Sequence, residues 1–227
     1  MKLIEHIYAI KNLTNRGVAS DDSRFNNSLL AHLLKINRAN LIEKKADKYH
    51  FISEQSFQSL CVPLTKGQYH NCCDNIDTEC YFMKSTIKLP KILNTRWGDF
   101  IKVTTLTGEV ISKTSITLNS LAKYSITNSK PKTGWFIIDG YLGILNNTFL
   151  ETALVNTLFS DPTEIENLNC VNTNSDCSNL YEEEFPIDSD LIDPLYKMTI
   201  DYLMKAGLVA SDDEDNQRAV EFSNERE

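Results

Sequence analysis

A change of hydrophobic period constrains this chain more than any other feature. Apolar residues recur at helical spacing near both ends and at strand spacing between them. A chain that switches period twice cannot be one continuous bundle or one all-β sandwich. Near the start, Leu3, Ile4, Ile7, Tyr8 and Lys11 fall on one side of a helix over about 2–15, which Gly17 can stop. Ser20-Asp21-Asp22-Ser23 reads as an N-cap followed by acids that suit a helix dipole. From Ser23, the positions Phe25, Leu29, Leu33, Ile36, Asn40 and Leu41 predict a second helix to about Lys48.

The middle of the chain reads as strands. Phe57–Leu64, Tyr81–Leu89 and Phe100–Leu106 are rich in β-branched and aromatic residues and bounded by turns. Thr107-Gly108 and Asp139-Gly140 each separate two such runs. Asp-Gly is the stronger hairpin signal, because it supplies the positive φ angles of a type I′ turn. Glu151–Phe159 fits helix or strand; the alternation of Ala153, Val155, Thr157 and Phe159 favours strand, and Asp161-Pro162 ends it. A polar loop follows over 167–181. Leu191, Ile192, Leu195, Tyr196, Met198, Thr199, Ile200 and Leu203 then restore helical spacing, with Pro194 in the first turn and Gly207 as a cap.

The expected fold is therefore α+β. Residues 1–50 form a helical pair, 51–185 a mainly antiparallel β-rich region, and 186–207 a C-terminal helix that packs on the pair as a small bundle. Residues 208–227 form an acidic tail, in which Val220 and Phe222 interrupt seven acids between Ser211 and Glu227.

Chemistry is harder to find. The eight glycines are scattered, without a phosphate-cradling loop, and no serine sits in a nucleophile elbow. His6, His32, His50 and His70 form no metalloprotease pair, and His32, beside an apolar stripe, reads as partly buried and structural. Cys61 stands in an apolar run and reads as a small core residue. The other five cysteines cluster in two loops. His70, Cys72, Cys80, Cys170 and Cys177 are the candidate zinc ligands, although their spacing is not that of a standard knuckle, and a disulfide within either loop is the other possibility. Unpaired thiols are the expected state, with no cofactor and no catalytic residue. Glu182-Glu183-Glu184 reads as a solvated face, and Trp97 and Trp135 as core or turn anchors.

The formal charge of −8 argues against a protein that grips duplex phosphates. No run approaches the roughly 20 apolar residues of a membrane helix. Glu5, His6 and Lys11 interrupt the N-terminal segment, which lacks a signal-peptide pattern and reads as an amphipathic helix of a protein made inside the cell. A second reading is a small DNA-binding regulator that uses the N-terminal helix pair, whose second helix carries Arg24, Lys35, Arg38, Lys44 and Lys45.

Several pieces in order carry a resemblance along about 7–204. They are Gly17 with Ser20-Asp21-Asp22-Ser23-Arg24, Ile36-Asn37-Arg38-Ala39-Asn40-Leu41-Ile42 and Gly67-Gln68-Tyr69-His70-Asn71-Cys72-Cys73. Leu89-Pro90-Lys91, Arg96-Trp97-Gly98, Gly134-Trp135-Phe136, Phe159-Ser160-Asp161-Pro162 and Glu184-Phe185-Pro186-Ile187-Asp188 complete the set. In these the chain resembles the head–tail ring proteins of crAss-like phages, most of all ring protein 1 beside the portal. The resemblance implies a non-enzymatic structural subunit at the head–tail vertex of a virion, made in the host bacterial cytoplasm. Its partners would be further copies of itself in a ring, twelvefold like the portal, together with the portal protein and other tail ring proteins. DNA would be passing cargo, and no membrane partner is implied. Tyr141, in the Gly134–Leu145 hairpin, and Phe222, in the tail, are the expected interface residues.

Overall fold

The computed structural model describes residues 1–14, 25–68, 81–96, 98–114, 133–165, 168 and 181–206. The chain divides into two units, residues 1–56 with 176–227 and residues 57–175. The first is helical. Helix α1 (Leu3–Thr14) buries Leu3, His6, Ile7 and Ile10, an i, i+3, i+4, i+7 stripe. Tyr8, expected on that stripe, is turned one step away and exposed. The first-turn N–H groups, which a helix cannot satisfy itself, find carbonyls in the segment before the C-terminal helix. Leu3 donates to Glu183 (3.0 Å) and Ile4 to Tyr181 (2.8 Å).

Helix α2 (Asn27–Tyr49) is capped by Asn26, whose side chain accepts from the Ser28 N–H at 3.1 Å. It ends at His50, left-handed at φ 53°, with the His50 N–H on the Ala46 carbonyl. The helix thus starts at Asn27, later than the expected Ser23; the expected cap at Ser20 lies outside the described residues. Its buried stripe is also rotated from the expected one. Leu30, Leu34, Arg38 and Ile42 point inward at four-residue steps, while Ile36 and His32 are exposed. Helix α3 (Ile192–Lys205) follows a 3-10 turn over Ser189–Leu191. It buries Leu195, Thr199 and Leu203 and packs mainly on α2.

The second unit, expected as a mainly antiparallel β region, is a closed barrel. Seven strands close into a barrel in the order β1 (Gln58–Gln68), β2 (Tyr81–Ser85), β8 (Tyr141–Leu145), β7 (Gly134–Ile138), β6 (Val110–Lys113), β5 (Lys102–Thr104), β9 (Thr152–Thr157) and back to β1. A ring of strictly alternating directions needs an even number of strands. Seven strands therefore force one parallel neighbour pair, which is β6 with β7, in register Ser112↔Gly134. A parallel pair also needs a crossover of roughly a dozen residues or more, and 20 residues separate Lys113 from Gly134 in the sequence. A two-stranded hairpin, β3 (Asn94–Thr95) and β4 (Gly98–Asp99), stands outside the ring.

Alternation builds the core. Leu60, Val62 and Leu64 of β1, Met83 of β2, Val103 of β5, Trp135 of β7, Leu142 and Ile144 of β8 and Val155 of β9 are buried together, with Phe159 and Leu89 from the flanking segments. The lumen is filled by side chains. Cys61, one step out of phase with Leu60 and Val62, faces solvent, so it is not the core residue that the apolar run suggests. Pro63 sits on the last rung of β1 with β9, where its missing N–H breaks no ladder bond: Leu64 N–H bonds Glu151, and the Pro63 carbonyl accepts from Thr86. On the face of β7 opposite Trp135, the buried Phe136 ring lies flat on its cross-strand partner Gly143, where a Cβ would collide with it. β2 stops at Ser85, four residues short of the expected end, because the Ser85 hydroxyl turns to bond the Ile87 carbonyl (2.7 Å).

Candidate functional site

His70, Cys72, Cys80, Cys170, Cys177 and Phe222 lie outside the described residues. Among the described residues no group of His, Cys, Asp and Glu is placed to hold a metal ion. Tyr141 is half-buried at the start of β8, with the Lys84 ammonium 4.2 Å from its ring centre.

The helical unit holds a cluster of buried polar groups. Arg38 is fully buried, because it occupies the i+4 step between Leu34 and Ile42. Its Nε donates to the Pro186 carbonyl (2.6 Å), its Nη2 to the Ser56 carbonyl (3.2 Å), and its guanidinium lies 5.8 Å from the Phe185 ring centre. Asp188 is 1% exposed. It accepts from the Ser56 hydroxyl (2.8 Å) and Lys45 (2.7 Å), and Lys45 also reaches Asp190 (2.8 Å). Burial alone would raise the pKa of Asp188; hydrogen bonds from Lys45 and Ser56 outweigh it and hold the carboxyl below its usual range. Burial likewise pulls Lys45 down, and its two carboxylate partners reverse this and raise it.

A Ser–Asp–Lys set could suggest nucleophilic chemistry. Ser56, however, is fully buried and donates to a carboxylate that the lysine already neutralises, so nothing there takes its proton and no substrate reaches it. The cluster ties α2 to the segments on either side of it. Sequence reading places Arg38 and Lys45 on a basic surface and misses this role. The signal available was the position of Arg38 on the stripe of Leu34 and Ile42.

His6 is the second buried group that the sequence did not single out. Its Nδ1 is 2.9 Å from the Tyr196 hydroxyl, while Nε2 is buried with no hydrogen-bond partner among the described residues. Burial, then the charge of the nearby N-terminus, lower its pKa to about 4, with Glu5 opposing. Burial, then Asp193 and Glu5, raise the pKa of Tyr196. A neutral imidazole fixed between α1 and α3 is a structural element of the core.

The barrel unit carries a concave site. A cleft of about 490 Å³ opens between the segment after β2 and the β7–β8 turn. Its apolar floor is Leu89, Ile92, Ile101 and Ile137, and Lys88 and Lys91 stand at it. Asp139 (φ 53°) and Gly140 (φ 82°) make the turn that the Asp-Gly pair predicts. The Lys88 stem crosses Gly140 so closely that a Cβ there would lie 2.6 Å from its Cε, and the Leu89 N–H bonds the Gly140 carbonyl at 2.8 Å. Both ammonium groups are without an ion-pair partner among the described residues. Such a cleft can bind an apolar group flanked by acids. Among the described residues that line it there is no acid–base pair and no metal-ligand set.

Comparison with models of known protein families matches residues 5–225 to the family described as phage tail ring protein 2. The sequence resemblance points to ring protein 1, so the match corrects the member while keeping the kind of protein. No curated protein matches the chain.

Proposed function

Because this chain belongs to the phage tail ring protein 2 family, we propose that it is a structural subunit of the virion, closed into a ring at the head–tail vertex. The observation that carries this reading is the extent of the match, residues 5–225, which takes in both structural units. The ring has twelve copies, like the portal, and joins portal and tail through other ring proteins. It conducts DNA along its central axis, where an acidic wall lets the duplex slide. The barrel lumen is packed with Trp135, Phe159 and aliphatic side chains, so the passage is formed by the ring. Tyr141 and Phe222 contribute to contacts between neighbours. The subunit catalyses nothing and needs no cofactor.

The regulator reading draws on the basic side chains of α2. Arg38 is fully buried and Lys45 is occupied by Asp188 and Asp190, which removes two of them from any DNA surface. Negative-stain microscopy of the purified chain, alone and mixed with portal, tests the proposal. Closed rings that stack on portal are expected. A monomer that instead shifts duplex DNA in a salt-dependent gel assay favours the regulator.

A further inference from the structure

The two ends of the barrel carry opposite surface features. Strand β5 begins directly after Ile101 and β8 directly after Gly140, and both of these residues line the cleft. The same two strands run to the other end, roughly 10–17 Å away for three to five residues. There each opens into a loop with an exposed apolar group. The loop after β5 carries Leu106, 67% exposed, and leads to Val110, 64% exposed. The loop after β8 carries Phe149, 92% exposed, the most exposed large apolar residue of those described. It is presented by a left-handed Asn146 and a bond from its own N–H to the Asn147 side chain (3.3 Å). Glu109 and Glu151 flank these groups and are exposed. One end is thus apolar and acid-flanked, and the other is an apolar cleft with two lysines that have no acidic partner among the described residues.

An apolar projection and a complementary pocket on different parts of one molecule define a heterologous contact, which closes into a ring when the rotation allows. We infer that the Phe149 end of one barrel docks into the Lys88–Lys91 cleft of the next copy, with Glu109 and Glu151 facing the two lysines. The inference rests on the ring reading and specifies its subunit contact. A second copy fits this cleft better than DNA. Phosphates would use the lysines and leave Leu89, Ile92, Ile101 and Ile137 without a partner, whereas an aromatic projection flanked by carboxylates uses both.

The test places a photo-reactive benzoylphenylalanine at position 149 of the full chain and assembles an equal mixture of ¹⁴N and ¹⁵N protein. Cross-links from 149 to residues 88–101 or 137–140, with mixed-isotope pairs at half of the total, are expected. Same-copy pairs only, or links to any other surface, overturn the inference. Lys88→Glu with Lys91→Glu, or Glu109→Lys with Glu151→Lys, should each raise the concentration for half-assembly roughly tenfold or more, and the four changes together should restore it. Four changes that add their defects contradict the pairing. If benzoylphenylalanine at position 222 links to residues 88–101 while position 149 does not, the C-terminal tail is the occupant and the inference falls. Wild-type chain that never leaves the monomer contradicts the ring reading itself. Rings with 149 linked elsewhere contradict only this contact.

Discussion

The helical unit and the barrel unit solve the same packing problem with different materials. The barrel is held by alternation and closure: every strand of the ring adds apolar side chains to its buried cluster, and the polar groups the unit buries, Ser85, Thr104, Thr157 and Thr163, are uncharged hydroxyls. The helical unit buries Arg38, His6, Asn37, Asp188 and Thr199 along with its aliphatic residues, and pairs most of them, Asn37 with Thr199 at 3.0 Å among others. A barrel whose strands are all paired needs little further specification. The three described helices, joined to an irregular segment, do, and the directional bonds of Arg38 and Asp188 fix which carbonyl and which hydroxyl meet. Such bonds are sensitive to the loss of one partner, because the other is left buried and unsatisfied.

The comparison can be broken most sharply at Arg38. Arg38→Ala should lower stability by about 3–5 kcal/mol, since the carbonyls of Pro186 and Ser56 lose their donor and a large volume empties. Urea unfolding followed by circular dichroism reads this, with loss of helical signal ahead of the barrel. In the barrel, Leu142→Ala should cost roughly 2–4 kcal/mol through the cavity alone. That cost should stay constant between pH 5 and 8, because no titrating group touches the mechanism.

Acid then separates the units. His6 titrates at about 4 when folded and near 6.5 when unfolded, so the unfolded state takes up the proton first. Stability is complete above about pH 6.5, falls between 6.5 and 4, and the loss is at most roughly 3 kcal/mol. Asp188, depressed by Lys45 and Ser56, adds a further loss only below the ordinary aspartate value of 3.8. His6→Phe should flatten the window between pH 6.5 and 4 and leave the steeper acid limb. An unchanged pH profile in that variant would mean that His6 is not the titrating group. The smallest effect belongs to Cys61→Ser. On an exposed outward position it should change stability by less than about 0.5 kcal/mol, whereas a core cysteine would cost more.

These differences also explain what could be read in the sequence. Local period was legible: the helices near both ends, the Asp139-Gly140 turn and the alternating β9 all follow from it. Closure was not, because it depends on pairs distant in the chain, such as Leu60↔Val155 and Ser112↔Gly134, on which local spacing is silent. The same holds for the Lys45–Asp188 bond, across 143 positions. Leu60-Cys61-Val62 looks apolar throughout until the period of two is applied strictly, which puts Cys61 outside, and the apolar positions of α2 leave its phase open by one step, which exposes Ile36. The cleft was visible only as Leu89-Pro90-Lys91; its other walls come from β7 and the start of β5.

Native mass spectrometry of connectors released from virions measures the ring claim most directly. A single closed multimer of this chain, twelve copies in one complex with heterologous contacts throughout, is the predicted result. Recovery of the chain only as monomers or twofold dimers would contradict it.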